Sequence, residues 1–156
     1  MKTIGLRNNI CMKNAKNTCG SKMLEDFISP YDSTVVEKLN AASVKIENID
    51  MKEFGIEEDN FVQEFFESNS ANTAILVDGN GEIARNAING LIGLKPTFGM
   101  VSRYGVITSA PSLEQTGVIS KDINELQEIL DIIKGYDDKD SGSVGAHICA
   151  RLRSRA

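Results

Sequence analysis

At 156 residues the chain has the size of one domain or a piece of one, long enough to bury about two thirds of its unfolded surface if it folds alone. A formal net charge of -5 argues against wrapping nucleic acid by phosphate neutralisation, so no direct nucleic-acid contact is expected. Apolar runs such as Thr73-Ala74-Ile75-Leu76-Val77 fall far below the roughly 20 residues that cross a bilayer, and the opening Met-Lys-Thr-Ile-Gly lacks the apolar core of a secretory signal; a cytoplasmic protein without membrane contact is expected.

Up to about Ser29 the pattern reads as a strand and a loop. A helix is predicted next: Pro30 and Asp32-Ser33 supply a stop and an N-cap, and Val35, Val36, Leu39 and Ala42 form a stripe at helical spacing. Val44 and Ile46 alternate with Lys45 and Glu47, which predicts a short half-buried strand. Residues 55–70 are acidic, with Phe61, Val62, Phe65 and Phe66 on one helical face, Glu57, Glu58, Glu64 and Glu67 around it, and Asp59 as a cap. That back is either a solvated helix face or a docking surface for a basic partner. A strand is predicted over residues 73–77 and the clearest helix over 120–134, where Ile123, Leu126, Ile129, Leu130 and Ile133 share a face. Asp122 and Glu125 have capping-box spacing there, and Gly135 stands where the chain should leave the helix.

The most idiosyncratic wording is Gly93-Leu94-Lys95-Pro96-Thr97-Phe98-Gly99-Met100-Val101-Ser102-Arg103-Tyr104-Gly105, continuing to Ser112-Leu113-Glu114-Gln115-Thr116-Gly117. With it go Thr18-Cys19-Gly20-Ser21-Lys22-Met23-Leu24, Tyr31-Asp32-Ser33-Thr34-Val35-Val36-Glu37-Lys38-Leu39, Asn48-Ile49-Asp50-Met51-Lys52-Glu53-Phe54 and Asp137-Asp138-Lys139-Asp140-Ser141. Together these resemble the amidase-signature family, and within it the glutamine-hydrolysing A subunits of glutamyl-tRNA(Gln) amidotransferases. The resemblance covers most of residues 6–53 and 90–141 and only part of a family subunit. It implies an α/β fold, a partial amidase-signature domain over 1–141 whose mixed β-sheet is flanked by helices, with a degraded centre at about 55–89. Residues 142–156 read as an unrelated flexible basic tail, either a basic arm or the out-of-frame end of a truncated reading frame. Sheet edges left open by missing strands would carry an aggregation risk.

Family members use a Ser-Ser-Lys triad, in which a neutral lysine deprotonates the nucleophilic serine through a second serine. The resemblance places Leu6-Arg7-Asn8-Asn9-Ile10 on the lysine motif, with Arg7 at the lysine's position. Arginine stays protonated in proteins and cannot act as that base. The glycine-serine run that holds the middle serine is absent; Ser68 and Ser70, in Glu67-Ser68-Asn69-Ser70-Ala71, are its weak candidates. The nucleophile motif aligns with Asp78-Gly79-Asn80-Gly81-Glu82-Ile83 and puts Glu82 at the serine's position, where a carboxylate would repel the oxyanion the loop stabilises. No intact catalytic residue is expected.

Cys11, Cys19 and Cys149 form no C-x-x-C pair, so neither zinc nor a disulfide framework is supported, and a dyad of His147 with Cys149 would sit on a tail with nothing to hold it. The D-G-N-G run fails the calcium-loop test, since Leu76 and Ala87 would occupy its first and last positions. No metal and no cofactor are assigned to this chain. The resemblance implies glutamine as the family substrate, B and C subunits as partners, and ATP and Mg²⁺ used in the B subunit. The functional expectation is a degenerate, inactive relative of the A subunit. Two others stay open: an amidase rebuilt on Ser21, Ser68, Ser70 or Ser109 with Lys22 or Lys95, and a non-enzymatic module binding partners through the acidic segment.

Overall fold

The computed structural model describes residues 2–53, 61–68, 71–88 and 90–144. Among these residues five strands form one mixed sheet: β1 (Thr3–Arg7), β2 (Lys45–Ile49), β3 (Thr73–Asp78), β4 (Ile92–Leu94) and β5 (Gln115–Ser120), in the order β2-β1-β3-β5-β4. β1 runs parallel to both β2 and β3, with Ile4 opposite Ile46 and Thr73. β5 runs antiparallel to β3 and to β4, with Val118 opposite Ile75 and Leu94. The predicted α/β class and mixed sheet are what the chain adopts.

Among the described residues four helices cover the sheet: α1 (Thr34–Ala41), α2 (Phe61–Ser68), α3 (Glu82–Ile88) and α4 (Ile123–Ile133). On one face, Val35, Val36 and Leu39 of α1 and Leu126, Ile129, Leu130 and Ile133 of α4 pack with Ile4, Leu6, Ile75, Val77 and Val118. On the other, Val62 and Phe66 of α2 and Ile83 of α3 pack with Ile49, Ala74, Leu76 and Ile119. Strand parity explains the split, because successive residues of a strand point to opposite faces. In β1 that puts Ile4 and Leu6 toward α1 and α4, and Gly5 and Arg7 toward α2 and α3. β3 is buried along its whole length, as a strand covered on both faces must be.

The helix ends follow their caps. Ser33 accepts from the Val36 N–H at 3.3 Å and starts α1, whereas Asp32 turns away to accept from Lys13 N–H at 2.7 Å. Asp122 caps α4 through the N–H groups of Asn124 and Glu125. The capping box is only half made, because the Glu125 carboxylate accepts instead from the Thr73 hydroxyl at 3.0 Å. The helix predicted over 120–134 is shorter for a related reason: Ser120 is still laddered between Thr73 and Ile92. Gly135 leaves the helix with φ 124°, and its N–H reaches Met100 O at 2.9 Å.

Two differences concern boundaries. Of the acidic segment, 61–68 is helical, with Val62 and Phe66 buried; Glu57, Glu58 and the Asp59 cap lie outside the described residues. The first residues of the predicted tail pack on the body. Val144 N–H bonds Gly99 O at 2.8 Å, Ser143 N–H bonds Asp140 O at 2.9 Å, and the Ser143 hydroxyl accepts from Asp137 N–H, so residues 142–144 belong to the packed body. Residues 145–156, with His147 and Cys149, lie outside the described set. Among the described residues no helix is long and apolar enough to cross a membrane.

Candidate functional site

The polar residues of interest collect where the parallel strands end, the usual place for a site on an α/β sheet. Arg7 closes β1, Asp78 closes β3, and the turn Gly79-Asn80-Gly81 leads into α3 with Glu82 as its first residue. Gly81 takes φ 84°, a backbone conformation that favours glycine. Asp78 organises the turn by accepting from the N–H groups of Gly81 and Glu82 at 2.7 and 2.8 Å, and its other oxygen lies 3.6 Å from Lys95 Nζ. An aspartate before Gly-Asn-Gly is a recognisable turn and cap signal, so this role was readable from sequence. α3 approaches the sheet closely because two glycines lie beneath Ile83: a Cβ on Gly117 would collide with Ile83 Cδ1, and one on Gly93 would come within 2.5 Å of Ile83 Cγ2.

This packing carries Glu82 onto Arg7. Their side chains form an ion pair, Arg7 Nη1 to Glu82 Oε2, and are 4% and 1% exposed. The Phe61 ring of α2 stacks over the guanidinium at 4.8 Å from the ring centroid. Arg7 Nε has no acceptor among the described residues. Beside the pair, Asn8 uses its amide on the Thr18 hydroxyl and the Asp50 carboxylate, at 3.2 and 3.0 Å, and so joins the ends of β1 and β2.

Chemically this arrangement holds a permanent cation against a carboxylate, out of water. Such a pair is costly to desolvate and is retained only while both partners are present. It offers neither a neutral amine as base nor a hydroxyl as nucleophile. Of the other sequence candidates, Ser21 and Lys22 line one open pocket with Thr18, Gly20, Glu25 and Lys52. Ser68 is exposed at the end of α2, its hydroxyl turned back onto the carbonyls of Glu64 and Phe65; Ser70 lies outside the described residues. The Ser109 hydroxyl donates to Glu114, which also accepts from the N–H groups of Ser109 and Ala110 at 2.9 Å. Lys95 faces Asp78, and Ser21 opens the short 3₁₀ turn Lys22–Leu24 without a side-chain cap.

Sequence reasoning missed a second cluster, in which the quoted motifs hold one another. Asp137 accepts from the hydroxyls of Thr34 and Ser102, both at 2.5 Å. Asp140 accepts from Arg103 N–H at 2.9 Å, from its guanidinium through Nε and Nη2, and from Gly142 N–H at 2.8 Å. Burial pushes the Asp137 carboxyl up, but the Ser102 and Thr34 hydroxyls, with the Lys139 N–H and charge, outweigh it and hold it below the usual carboxylate range. For Asp140 burial also pushes up, and the Arg103 bonds and charge with the Gly142 N–H again prevail. Ser102 and Arg103, at the heart of the long motif, therefore clasp the turn after α4. No periodicity links these segments, and only the opposite charges of Arg103 and Asp140 could have hinted at it.

The buried thiols are free: Cys11 and Cys19 form no disulfide. Burial pushes Cys19 up to about 11, the neighbouring Cys11 adding to the rise and the Arg7 charge opposing it. Burial raises Cys11 as well, against a hydrogen bond from Ser29.

Comparison with known proteins agrees with this architecture. The profile of the family described as Amidase matches residues 3–55 and 86–153, leaving 56–85 unmatched. The A subunit of the glutamyl-tRNA(Gln) amidotransferase of Haloarcula marismortui is 35% identical over 90% of this chain, which covers 39% of that protein. The corresponding A subunit numbered 2 in Clostridium acetobutylicum is 36% identical over 92% of the chain and 35% of that protein. The chain thus spans well under half the length of these relatives. In fold it resembles the crystal structure of the glutamyl-tRNA(Gln) amidotransferase A subunit from Thermotoga maritima, with TM-score 0.76 at 24% identity, over 92% of this chain and 37% of that one. An amidase family protein from Bacillus anthracis superposes with TM-score 0.81 at 20% identity, over 91% of this chain and 35% of that one. With a sheet, a helix arrangement and motifs that all agree, the chain belongs to the amidase family.

Proposed function

We propose that the chain is a non-hydrolysing relative of the glutamine-hydrolysing A subunit, in which the positions of the catalytic lysine and the nucleophilic serine are Arg7 and Glu82. The observation that carries this reading is the buried ion pair between those two residues. A lysine base and a serine nucleophile would have to act at one spot, and two residues that neutralise each other there supply neither function. The guanidinium cannot take a proton, and the carboxylate is committed to it.

On this reading the protein works as a cytoplasmic scaffold that meets the B and C subunits of the amidotransferase, with ATP and Mg²⁺ used by the B subunit. Among the rebuilt-serine candidates, Ser109 is bonded to Glu114 and Ser68 to its own helix, while Lys95 faces Asp78; Ser21 and Lys22 share a pocket. Ammonia release from glutamine is the deciding measurement, made on purified chain alone and with the B and C subunits added. No release above background is expected. Release that disappears in Ser68→Ala/Ser70→Ala would overturn the proposal.

A further inference from the structure

Helix α2 falls inside the stretch that the family profile leaves unmatched. It nevertheless lies over Arg7, one member of the buried pair. Phe61 stacks on the guanidinium, and Phe65 sits so close above Gly5 that a Cβ there would come within 2.6 Å of its ring. Val62 and Phe66 are anchored in the core with Ile49 and Leu76. At the other end of the helix, Lys121 lies 5.3 Å from the Phe66 ring centroid and donates to the Phe66 carbonyl at 3.4 Å. Both charged side chains of the pair are almost wholly buried.

We propose that α2 is a fixed plug, which denies small amides and anions access to this spot whatever residues stand at 7 and 82. The proposal rests on the reading that positions 7 and 82 mark the family's catalytic spot, and it adds a steric cause of inactivity to the chemical one. Two features support a plug over a loosely docked helix. Val62 and Phe66, next to the covering ring on the same helix, are anchored in the core, and the glycine at position 5 makes room for the close approach.

The test is the rate at which phenylglyoxal, an arginine-selective probe small enough to report access, modifies Arg7, followed by peptide mass spectrometry on the intact chain. Arg85, half-exposed on α3, serves as the reference. In the native protein Arg7 should react at least about tenfold more slowly than Arg85, because labelling must wait for local opening. Phe61→Ala, which removes the covering ring, should bring the two rates to within about threefold. Should that variant fail to melt cooperatively, Phe61→Val, which removes the covering ring and keeps only a short branched side chain, replaces it and must also accelerate labelling. Native labelling of Arg7 as fast as Arg85, or no acceleration in the folded variant, overturns the plug. These outcomes are separate from ammonia release: rapid labelling without ammonia sinks the plug alone, and ammonia with slow labelling sinks the inactive reading alone.

Discussion

Arg7 and Glu82 stand 75 positions apart in the chain and meet as an ion pair inside the protein, one at the end of a strand and the other at the start of a helix. Because neither is solvated, each is the condition for burying the other. The pair therefore ties α3 to β1, and its energetics can be measured without assuming any activity.

Removing one partner should be severe and removing both mild. Arg7→Met or Glu82→Leu alone should each cost about 3–5 kcal/mol, since each leaves the other member as an uncompensated buried charge. Arg7→Met with Glu82→Leu should lie closer to the parent than either single variant. Urea unfolding of the four proteins gives the coupling energy directly, and strictly additive costs would contradict the pairing.

The clasp around Asp137 and Asp140 predicts an acid limit. Both carboxyls sit below their ordinary value in the folded state, so their stabilisation is complete above the unfolded carboxylate pKa, about 3.9. It is lost as pH falls through the folded values, when the unfolded chain binds the protons more readily. The urea midpoint should thus be flat near neutrality and fall below about pH 4, with a shallower fall in Asp140→Asn.

Gly117 should tolerate no side chain. In Gly117→Ala the new methyl would strike Ile83 Cδ1 and come 2.7 Å from the Leu94 carbonyl oxygen. A loss of about 1–3 kcal/mol is expected. Adding Ile83→Val removes the struck Cδ1 atom and should recover part of that loss, but the backbone contact remains. A thermal melt of the parent and the two variants decides whether α3 is seated on this glycine.

Cys19 should be slow toward thiol reagents in the folded protein. With its pKa pushed up to about 11, its thiolate fraction near pH 8 is on the order of one in a thousand. Alkylation followed by peptide mapping should find Cys19 essentially unmodified in the native state and readily modified in urea. Rapid native labelling would show that the loop carrying it opens easily.

Several parts of this architecture were legible in the chain. The Ser33 cap, the stripe of α4 and the Asp122 cap are local patterns, settled by residues within a few positions of one another. Strands β4 and β5 were not anticipated, because Gly93 and Gly117 interrupt the alternation that would have marked them and because their role is to fit beneath Ile83. The half-made capping box of α4 shows the same limit, since Glu125 chose Thr73, a partner on another element.

By itself the sequence determined the family likeness, the α/β class and the identity of residues 7 and 82, since each of these is carried by the order of residues along the chain. Only the tertiary structure decided that Arg7 and Glu82 neutralise each other, that Phe61 covers Arg7, and that Ser102 and Arg103 are engaged in clasping Asp137 and Asp140. Those facts depend on strand parity, on the register between β1, β3 and β5, and on the close seat of α3. Contacts between residues so far apart in the chain exist only after the sheet has formed.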